Sequence, residues 1–426
     1  MTNLVLTQAR VVDPASGTDA AADLIIRDGV IQPPGSPASD LKRLDASGFV
    51  AAPGFWDTHV HFRDPGNAFA ETRGTGARAA AAGGFTHVVT MPNTNPAGDS
   101  VAWLREQIED ALPVKILPSA CITVGRQGKA VADLETLAWH GASSFTDDGA
   151  MVADDAVMRA AMLRARALRK PVMDHAVVSS IAKNGMIRDC ELARRHNLPV
   201  FPPEAEVEAV LRDIRLCRET GCALNIQHIS TAGAVAAVRA ARAEGLPVTA
   251  EASPHHLAIA AEDIALDDGN YRMNPPLGTR ADVRAIRDGV LDGTLSIFAT
   301  DHAPHSVETK AKGFRQAPFG VIGLETAIGV TWKVMIEEER MPLLPWVARW
   351  TTGPAALLGA PAPALAPGSL ADLVLIDPST PWTVRPDAFR SLSRNTPFAG
   401  WTLNARPVLT ICEGRTTYTD PRLARA

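Results

Sequence analysis

Residues 54–66 carry the sequence GFWDTHVHFRDPG, a short apolar run that ends in two histidines and an arginine before a proline and a glycine. Residues two apart in a β-strand point to the same side of the sheet. His59 and His61 can therefore reach one metal ion from a single strand end, since imidazole nitrogens are common ligands of zinc. One isolated histidine at such a position would more often be structural. The pair predicts a strand whose carboxyl end carries chemistry.

Seven further apolar runs of strand length follow, and helical patterns such as 155–169, 204–220 and 232–244 lie between them. After a first strand at 54–62, the predicted strands are residues 86–91, 114–122, 143–147, 171–175, 223–229, 247–252 and 296–300. Eight strands alternating with helices predict an α/β fold, a (β/α)8 barrel of the TIM type. A doubly wound open sheet is the alternative. It is disfavoured because no glycine-rich dinucleotide fingerprint follows the first strand.

The two ends of the chain resemble each other and differ from the middle. Residues 1–52 contain short β-like runs broken by glycine and proline. The same pattern follows a linker at 359–368, GAPAPALAPG. We therefore expect a small β-sandwich domain built from residues 1–52 and 361–426, with the barrel at 53–360.

Composition narrows the possible functions. The 426 residues carry a net charge of −5, so no broad basic surface indicates nucleic-acid binding. The five cysteines are odd in number and contain no CxxC motif, which argues against a disulfide framework and favours the cytoplasm. Neither a signal peptide nor an apolar stretch of membrane-spanning length is evident, so we expect no membrane partner.

Polar residues follow the apolar part of other predicted strands as well. His175 ends the fifth strand, His228 lies at the end of the sixth, and Asp301 follows the eighth. Barrel enzymes place their active sites at the carboxyl ends of their strands. Four imidazoles and one carboxylate at one barrel mouth suit one or two divalent ions of the zinc type.

Two long motifs and four short ones resemble those of the dihydroorotase family of the amidohydrolase superfamily. The long motifs are DTHVHFRDPG at 57–66 and TDHAPHSVETK at 300–310. The short ones are MPNT at 91–94, FTDDG at 145–149, MNPPL at 273–277 and APFGVIGLE at 317–325. Together they follow the family's order from residue 57 to residue 325. They are similar to the bacterial type in which an aspartate replaces a carboxylated lysine between the two metal ions.

The resemblance implies a role for each site residue. His59, His61 and Asp301 are expected to hold a first Zn2+ ion, His175 and His228 a second, and Asp148 to bridge them. By sequence alone Asp147 is nearly as good a candidate for the bridge, and Lys115 is a weaker rival. Asp301 is also expected to transfer the catalytic proton. The residues expected to bind substrate are Arg63, Asn93, Asn274, His305, Phe319 and Gly320.

Arg63 lies two residues beyond His61, so it points toward the same mouth, and its planar fork suits a substrate carboxylate. The alternative is a structural ion pair between Arg63 and Asp64. The expected activity is the reversible hydrolysis of the cyclic amide of (S)-dihydroorotate to N-carbamoyl-L-aspartate in de novo pyrimidine biosynthesis. Two rival hypotheses are another cyclic-amide hydrolase, a hydantoinase or an allantoinase, and an inactive homologue that scaffolds aspartate transcarbamoylase. We also expect a homo-oligomer.

Overall fold

The computed structural model describes residues 1–108 and 111–423. Eight strands form the barrel, and they occur in the predicted order. Their bounds are Phe55–Val60, Phe85–Thr90, Lys115–Ile116 with Ser119–Ala120, Ser144–Phe145, Val172–Asp174, Leu224–Ile226, Val248–Ala252 and Ile297–Phe298. We number them one to eight. Every residue of strands one and two is buried, as expected for parallel strands that are covered on both faces.

The barrel strands pair in parallel in two sheets that together form a ring. Strand three is shared between the sheets: Lys115–Ile116 pairs with strand two, and Ser119–Ala120 pairs with strand four. Strands one and eight meet where Val60 bridges to His302, and the backbone N–H of His61 donates to the carbonyl oxygen of His302 at 2.8 Å. We call this contact the closing seam.

Helices surround the barrel strands. Their bounds are Arg73–Ala82, Val101–Ile108, Leu134–Trp139, Asp155–Ala167, Ser179–Ala182, Glu191–Arg195, Glu204–Thr220, Ala232–Ala243, Pro254–Ala258, Arg280–Leu291, Val307–Lys310, Ala327–Thr331, a π-helix at Trp332–Glu338, Leu343–Trp350 and Thr352–Leu357. Helix Glu204–Thr220 ends at Gly221, whose φ of 68° lies in the left-handed region that glycine adopts at little cost. Among the helices of residues 1–108 and 111–423, none is long and apolar enough to cross a membrane.

Both ends of the chain contribute to one further sheet of eight strands. The N-terminal strands are Leu4–Asp13, Thr18–Arg27, Val30–Ile31, Lys42–Asp45 and Val50–Pro53; the C-terminal ones are Leu373–Asp377, Arg406–Cys412 and Arg415–Thr419. The two groups join where Leu373–Asp377 runs antiparallel to Val50–Pro53. A short hairpin pairs Trp382–Thr383 with Thr402–Leu403. The segment limits 52/53 and 360/361 stay predictions.

This terminal sheet has a hydrophobic cluster of its own, separate from the main barrel cluster. Leu6, Ile26, Leu375 and Ile411 lie within it, so residues from both chain ends share one core. Burying such side chains stabilises the folded chain by about 1.5–3 kcal/mol each. The predicted architecture, a TIM-type barrel with a small β domain, is confirmed.

Candidate active site and metal centre

Four ionisable side chains meet at the carboxyl ends of strands one, four and eight. Nε2 of His59 lies 3.3 Å from Oδ1 of Asp148 and 3.6 Å from Oδ1 of Asp301. Nε2 of His61 lies 3.1 Å from Oδ1 of Asp301 and 3.5 Å from Oδ2 of Asp148. His59, His61 and Asp301, the residues expected to hold the first metal ion, each offer one ligand atom within 4.8 Å of the others.

His175 and His228 follow strands five and six and extend this group. Nδ1 of His175 lies 2.8 Å from Nε2 of His228 and 3.8 Å from Oδ1 of Asp148. A second set of ligand atoms within 4.8 Å comes from His59, Asp148 and His228. Nε2 of His175 faces Nδ2 of Asn274 at 3.0 Å, so His175 lies at the edge. We call the six predicted ligands the metal cluster.

The charges in the metal cluster fit a bound cation. Burial alone would raise the pKa values of Asp148 and Asp301, but His59 and His61 outweigh burial and hold both pKa values below the usual range. Burial lowers the pKa of His59, yet the two carboxylates raise it well above its ordinary value. Nε2 of His59 is buried without a hydrogen-bond partner among the described residues. Buried charges persist when they are paired or bind metal, and this donor set suits a divalent ion.

The structure separates Asp148 from the two rival bridging residues. Oδ1 of Asp147 accepts hydrogen bonds from the backbone N–H groups of Ile122 at 2.9 Å and Thr123 at 3.1 Å. Lys115 begins strand three and forms an ion pair with Glu413 at 2.6 Å. Asp148 alone of the three is placed among the histidines.

Glu251 on strand seven holds the centre of the metal cluster from below. Its Oε2 lies 3.3 Å from Nδ1 of His59 and accepts the backbone N–H of His228, while its Oε1 accepts from Thr58 Oγ1 at 2.8 Å and Asn225 Nδ2 at 2.9 Å. A carboxylate on one ring nitrogen fixes the tautomer and orientation of a ligating histidine. Glu251 therefore leaves Nε2 of His59 free to face the metal position.

Asp57 ties the first strand to the eighth directly beneath the cluster. Its Oδ1 accepts the backbone N–H groups of His59 at 3.1 Å and Thr300 at 3.0 Å, and its Oδ2 accepts the Thr300 hydroxyl. Burial raises the pKa of Asp57 to about 7. These bonds fix the strand ends that carry His59 and Asp301.

A cavity of about 260 Å³ opens over the metal cluster. This volume is below the roughly 300–1,000 Å³ of pockets for drug-sized ligands, so it suits a small ring compound. Five of the six metal-cluster residues line it; His59 lies deeper. All six residues expected to bind substrate line it as well, and we call them the cavity wall: Arg63, Asn93, Asn274, His305, Phe319 and Gly320.

Arg63 faces the cavity from the loop after strand one. Its Nε donates to the carbonyl oxygen of Pro304 at 3.3 Å. Asp64, the partner that the sequence offered as an alternative, forms its ion pair with Arg73 at 3.6 Å. The geometry thus places a half-buried guanidinium beside the metal cluster, where a substrate carboxylate could bind.

Asn93 contacts two residues of the metal cluster as well as the cavity. Its Oδ1 accepts from Nδ1 of His61 at 2.9 Å, and its Nδ2 donates to Oδ2 of Asp148 at 2.9 Å. The hydrogen bond to Nδ1 leaves Nε2 of His61 as the atom that faces Asp301. Asn93 therefore orients the cluster in addition to lining the cavity.

His305 is a neutral member of the cavity wall. Burial, aided by the charges of Arg63 and Lys310, lowers the pKa of His305 to about 3. Its Nε2 donates to the carbonyl oxygen of Phe319 at 2.6 Å. The positive charge of this side of the wall consequently comes from Arg63.

Comparisons with known proteins identify the family of this chain. A Dihydro-orotase-like family model matches residues 48–234, and an Amidohydrolase family model matches residues 204–418. A dihydroorotase from Syntrophotalea carbinolica is 41% identical over 420 residues, which cover 97% of this chain and 99% of the relative. A dihydroorotase from Geobacillus sp. (strain WCH70) is 40% identical over 412 residues, with 95% and 96% covered. This chain belongs to the dihydroorotase family.

Solved structures of other amidohydrolases share the fold of this dihydroorotase family member. L-Hydantoinase (dihydropyrimidinase) from Arthrobacter aurescens has a TM-score of 0.87 at 24% identity and covers 98% of this chain and 96% of its own. Dihydropyrimidinase from Brevibacillus agri NCHU1002 has a TM-score of 0.85 at 23% identity, with 98% and 95% covered. The chain is a hydrolase of the amidohydrolase superfamily.

Three residues that support the site were missed from the sequence: Glu251, Asn395 and Lys310. Glu251 lies between Ala250 and Ala252 on strand seven, and nothing local marks it as a partner of His59. Asn395 donates to the carbonyl oxygens of Ala303 at 3.0 Å and Gly320 at 3.1 Å, across 92 and 75 residues of chain. Glu251 and Asn395 act through contacts between distant segments, which no short motif displays. Lys310 ends the motif at 300–310, but the motif does not show that its side chain binds main-chain oxygens.

Strained backbone marks the same region. Arg63, His228 and Asp301 have φ angles of 58°, 33° and 47°, in the left-handed region that non-glycine residues rarely occupy. Such residues cost about 1–3 kcal/mol each and cluster at functional sites. The fold thus tolerates strain at two members of the metal cluster and at the arginine of the cavity wall.

Proposed function

We propose that this chain catalyses the reversible hydrolysis of (S)-dihydroorotate to N-carbamoyl-L-aspartate, a step of de novo pyrimidine biosynthesis. One observation carries the proposal. The metal cluster and Arg63 face one small cavity, so a cyclic amide that bears a carboxylate can reach both. The family membership of the chain supports the same substrate.

His59, His61 and Asp301 would hold one divalent ion, and His175 and His228 a second, with Asp148 between them. The donor set of imidazole and carboxylate favours zinc. Such ions lower the pKa of water and polarise a carbonyl group, which supplies the nucleophile and the electrophilic assistance that amide hydrolysis requires.

Asp301 would move the proton. Its lowered pKa keeps the carboxylate ionised, so it can accept a proton as water adds to the ring carbonyl. The same group then returns that proton to the ring nitrogen as the C–N bond breaks. Water is consumed, and the new carboxyl group ionises to a carboxylate with release of one proton. The reverse condensation takes up that proton and uses Asp301 as the acid.

The cavity wall would select the substrate. Arg63 would bind the ring carboxylate in a charge-assisted, bidentate contact, with Asn93 and neutral His305 beside it. Asn274 and the backbone at Phe319 and Gly320 would contact the ring amides. A substrate without the carboxylate would lose the contact to Arg63.

We further propose that the enzyme works in the cytoplasm. All five cysteines are buried thiols, which fits a reducing cytoplasm. We also propose that the protein forms a homo-oligomer and that it associates with aspartate transcarbamoylase. Size-exclusion chromatography with light scattering tests the first on the protein alone and the second on a mixture with that enzyme.

The deciding experiment assays the purified protein with dihydroorotate, dihydrouracil, hydantoin and allantoin, alongside elemental analysis for bound metal. We expect dihydroorotate to be preferred by about 100-fold or more in kcat/KM, one or two zinc ions per chain, and loss of activity on chelation with recovery on readdition. Preference for hydantoin or allantoin would replace the proposed substrate. Inactivity on all four compounds with metal bound would support a scaffold instead.

A further inference from the structure

Lys310 is a buried lysine behind the cavity wall. Its exposed fraction is 4%. Its Nζ donates to the carbonyl oxygens of Arg272 at 3.1 Å, Pro318 at 3.0 Å and Gly320 at 2.8 Å. An ammonium group has three donors and no acceptor, so these three bonds use all of them. Because the acceptors are main-chain oxygens, what this lysine fixes is the path of the backbone.

The three carbonyl oxygens belong to two segments that contribute Asn274, Phe319 and Gly320 to the cavity wall. Pro318 and Gly320 flank Phe319, and Arg272 lies two residues before Asn274. The segments also contact each other directly, because the N–H of Gly320 donates to the Arg272 carbonyl at 3.0 Å. The Arg272 guanidinium lies 4.5 Å from the centre of the Phe319 ring. Lys310 therefore joins the two segments where they approach the cavity.

The position that Lys310 fixes has little room for movement. The carbonyl oxygen of Gly320 also accepts from Asn395 at 3.1 Å. Gly320 has a φ of 131°, and a Cβ at that position would lie 2.8 Å from Cβ of Ala303. Contacts of this kind specify one conformation of the loop rather than several.

We propose that Lys310 is a positioning residue that sets the affinity for the ring substrate by fixing Pro318–Gly320 against Arg272–Asn274. The inference rests on the proposed function and extends it to a residue that does not line the cavity. Most of the metal cluster is held by other contacts: Asp57 and Glu251 hold His59, His228 and the backbone beside Asp301, and Asn93 holds His61. His175 is the member that contacts the Arg272–Asn274 segment, through Asn274 at 3.0 Å. Loss of the ammonium should therefore weaken substrate binding more than it slows the chemical step.

The pH dependence of substrate affinity offers a second readout. Burial is the main cause that lowers the pKa of Lys310; with the opposing charge of Asp268 and the smaller lowering effect of Arg272, the pKa is about 7. His305, which is also nearby, has a pKa of about 3 and stays neutral in this range. A neutral amine has two N–H donors, so one carbonyl loses its donor as the pH rises through about 7. The KM for dihydroorotate should rise with it.

The test compares Lys310→Met, which removes all donors, with Lys310→Gln, which keeps two, and with Lys312→Met as a control at an exposed lysine two residues away. We expect Lys310→Met to raise the KM for dihydroorotate by about 10-fold or more and to lower kcat by less than about 3-fold, with bound metal unchanged. Lys310→Gln should give a smaller rise in KM, and Lys312→Met should match the wild type. The rise in KM through neutral pH should disappear in Lys310→Met.

Several outcomes would overturn the inference. One is a folded Lys310→Met protein with the wild-type KM, and another is a defect confined to kcat. If both Lys310 variants lack a cooperative thermal transition, the lysine supports the whole fold rather than the affinity. The wild-type assay separately decides the proposed function. If another cyclic amide is the substrate, the same ratios of KM and kcat are measured on that compound.

Discussion

The metal cluster and the cavity wall lie within one site but are built differently. The metal cluster is deeply buried, with exposed fractions of 0% for His59 and 6% for Asp301, and its members lie at or just after barrel strand ends. The cavity wall belongs mainly to loops, and Phe319 is 37% exposed. Buried charges require fixed partners, and Glu251, Asp57 and Asn93 supply them for the metal cluster. Loop residues, in contrast, can change identity while the scaffold stays constant. Chemistry and substrate choice should therefore be separable by mutation.

The largest separation is expected at Asp301. Replacement by Asn keeps the size of the side chain but removes its ability to exchange a proton, so turnover of dihydroorotate should fall by about 10²–10⁴-fold. The fall should be equal for dihydrouracil, because both substrates need the same proton transfer. Elemental analysis of the variant provides the control. Near-normal turnover with metal retained would assign the proton transfer to another group.

Arg63→Met should affect the cavity wall alone. Loss of the charge-assisted pair should lower kcat/KM for dihydroorotate by about 100-fold or more. Dihydrouracil, which has the same ring without the carboxylate, should be a poor substrate that the mutation hardly changes. The measurement is kcat/KM for both compounds with both proteins. Equal losses on the two compounds would make Arg63 structural and would weaken the case for dihydroorotate.

Glu251→Gln should weaken metal binding without changing any direct contact to the substrate. The amide is a weaker acceptor for the N–H at Nδ1 of His59, so metal affinity should fall by about 10–100-fold. Competition with a chelator measures this dissociation constant, and Glu208→Gln, at an exposed glutamate, is the matched control. At saturating metal the KM for dihydroorotate should return to the wild-type value. A KM that stays high would mean that Glu251 also shapes the cavity wall.

The smallest effect is expected at His305. Its folded pKa of about 3 lies below its ordinary value, so the ring gains no proton as the pH falls from about 8 to 5. No change in KM over that range should therefore trace to His305. His305→Asn, which keeps an N–H donor near Phe319, should raise the KM by only about 3-fold, the cost of one neutral hydrogen bond. A KM that drops in acid for the wild type and not for the variant would show a charged imidazole.

The strand and helix pattern of the barrel was readable from the sequence, because apolar periodicity records which faces are buried. The helix predicted at 204–220 has those bounds, and strand one was predicted at 54–62 and observed at Phe55–Val60. The predicted third strand, 114–122, is instead two short pieces. Pro118 lies between them and has no N–H to donate to a ladder, while its carbonyl oxygen still accepts from Ser143.

The site was readable only in part. His59, His61 and Asp301 were suggested by their positions at strand ends, where a barrel gathers its functional groups. The family motif favoured Asp148 over Asp147 as the bridging residue, a close choice by sequence alone. The structure adds a physical reason for that prediction, because the Asp147 carboxylate accepts the backbone N–H groups of Ile122 and Thr123. The contact between Glu251 and His59 spans 192 residues of chain, and those of Asn395 span 92 and 75. Such pairings have no local signature.

The closing seam has a consequence for how the molecule folds. Thr300 and Asp57, which bond across it, are 243 residues apart in sequence. Pairing strand one with strand eight therefore closes a very long segment of chain, which carries an entropic cost. The metal position lies directly above the seam, between His59 and His61 on one side and Asp301 on the other. A ligand that binds only the closed ring stabilises it in proportion to the logarithm of its concentration. The ion would then hold strands one and eight together in addition to its role in catalysis. Removing the metal should therefore speed amide hydrogen exchange most along the closing seam.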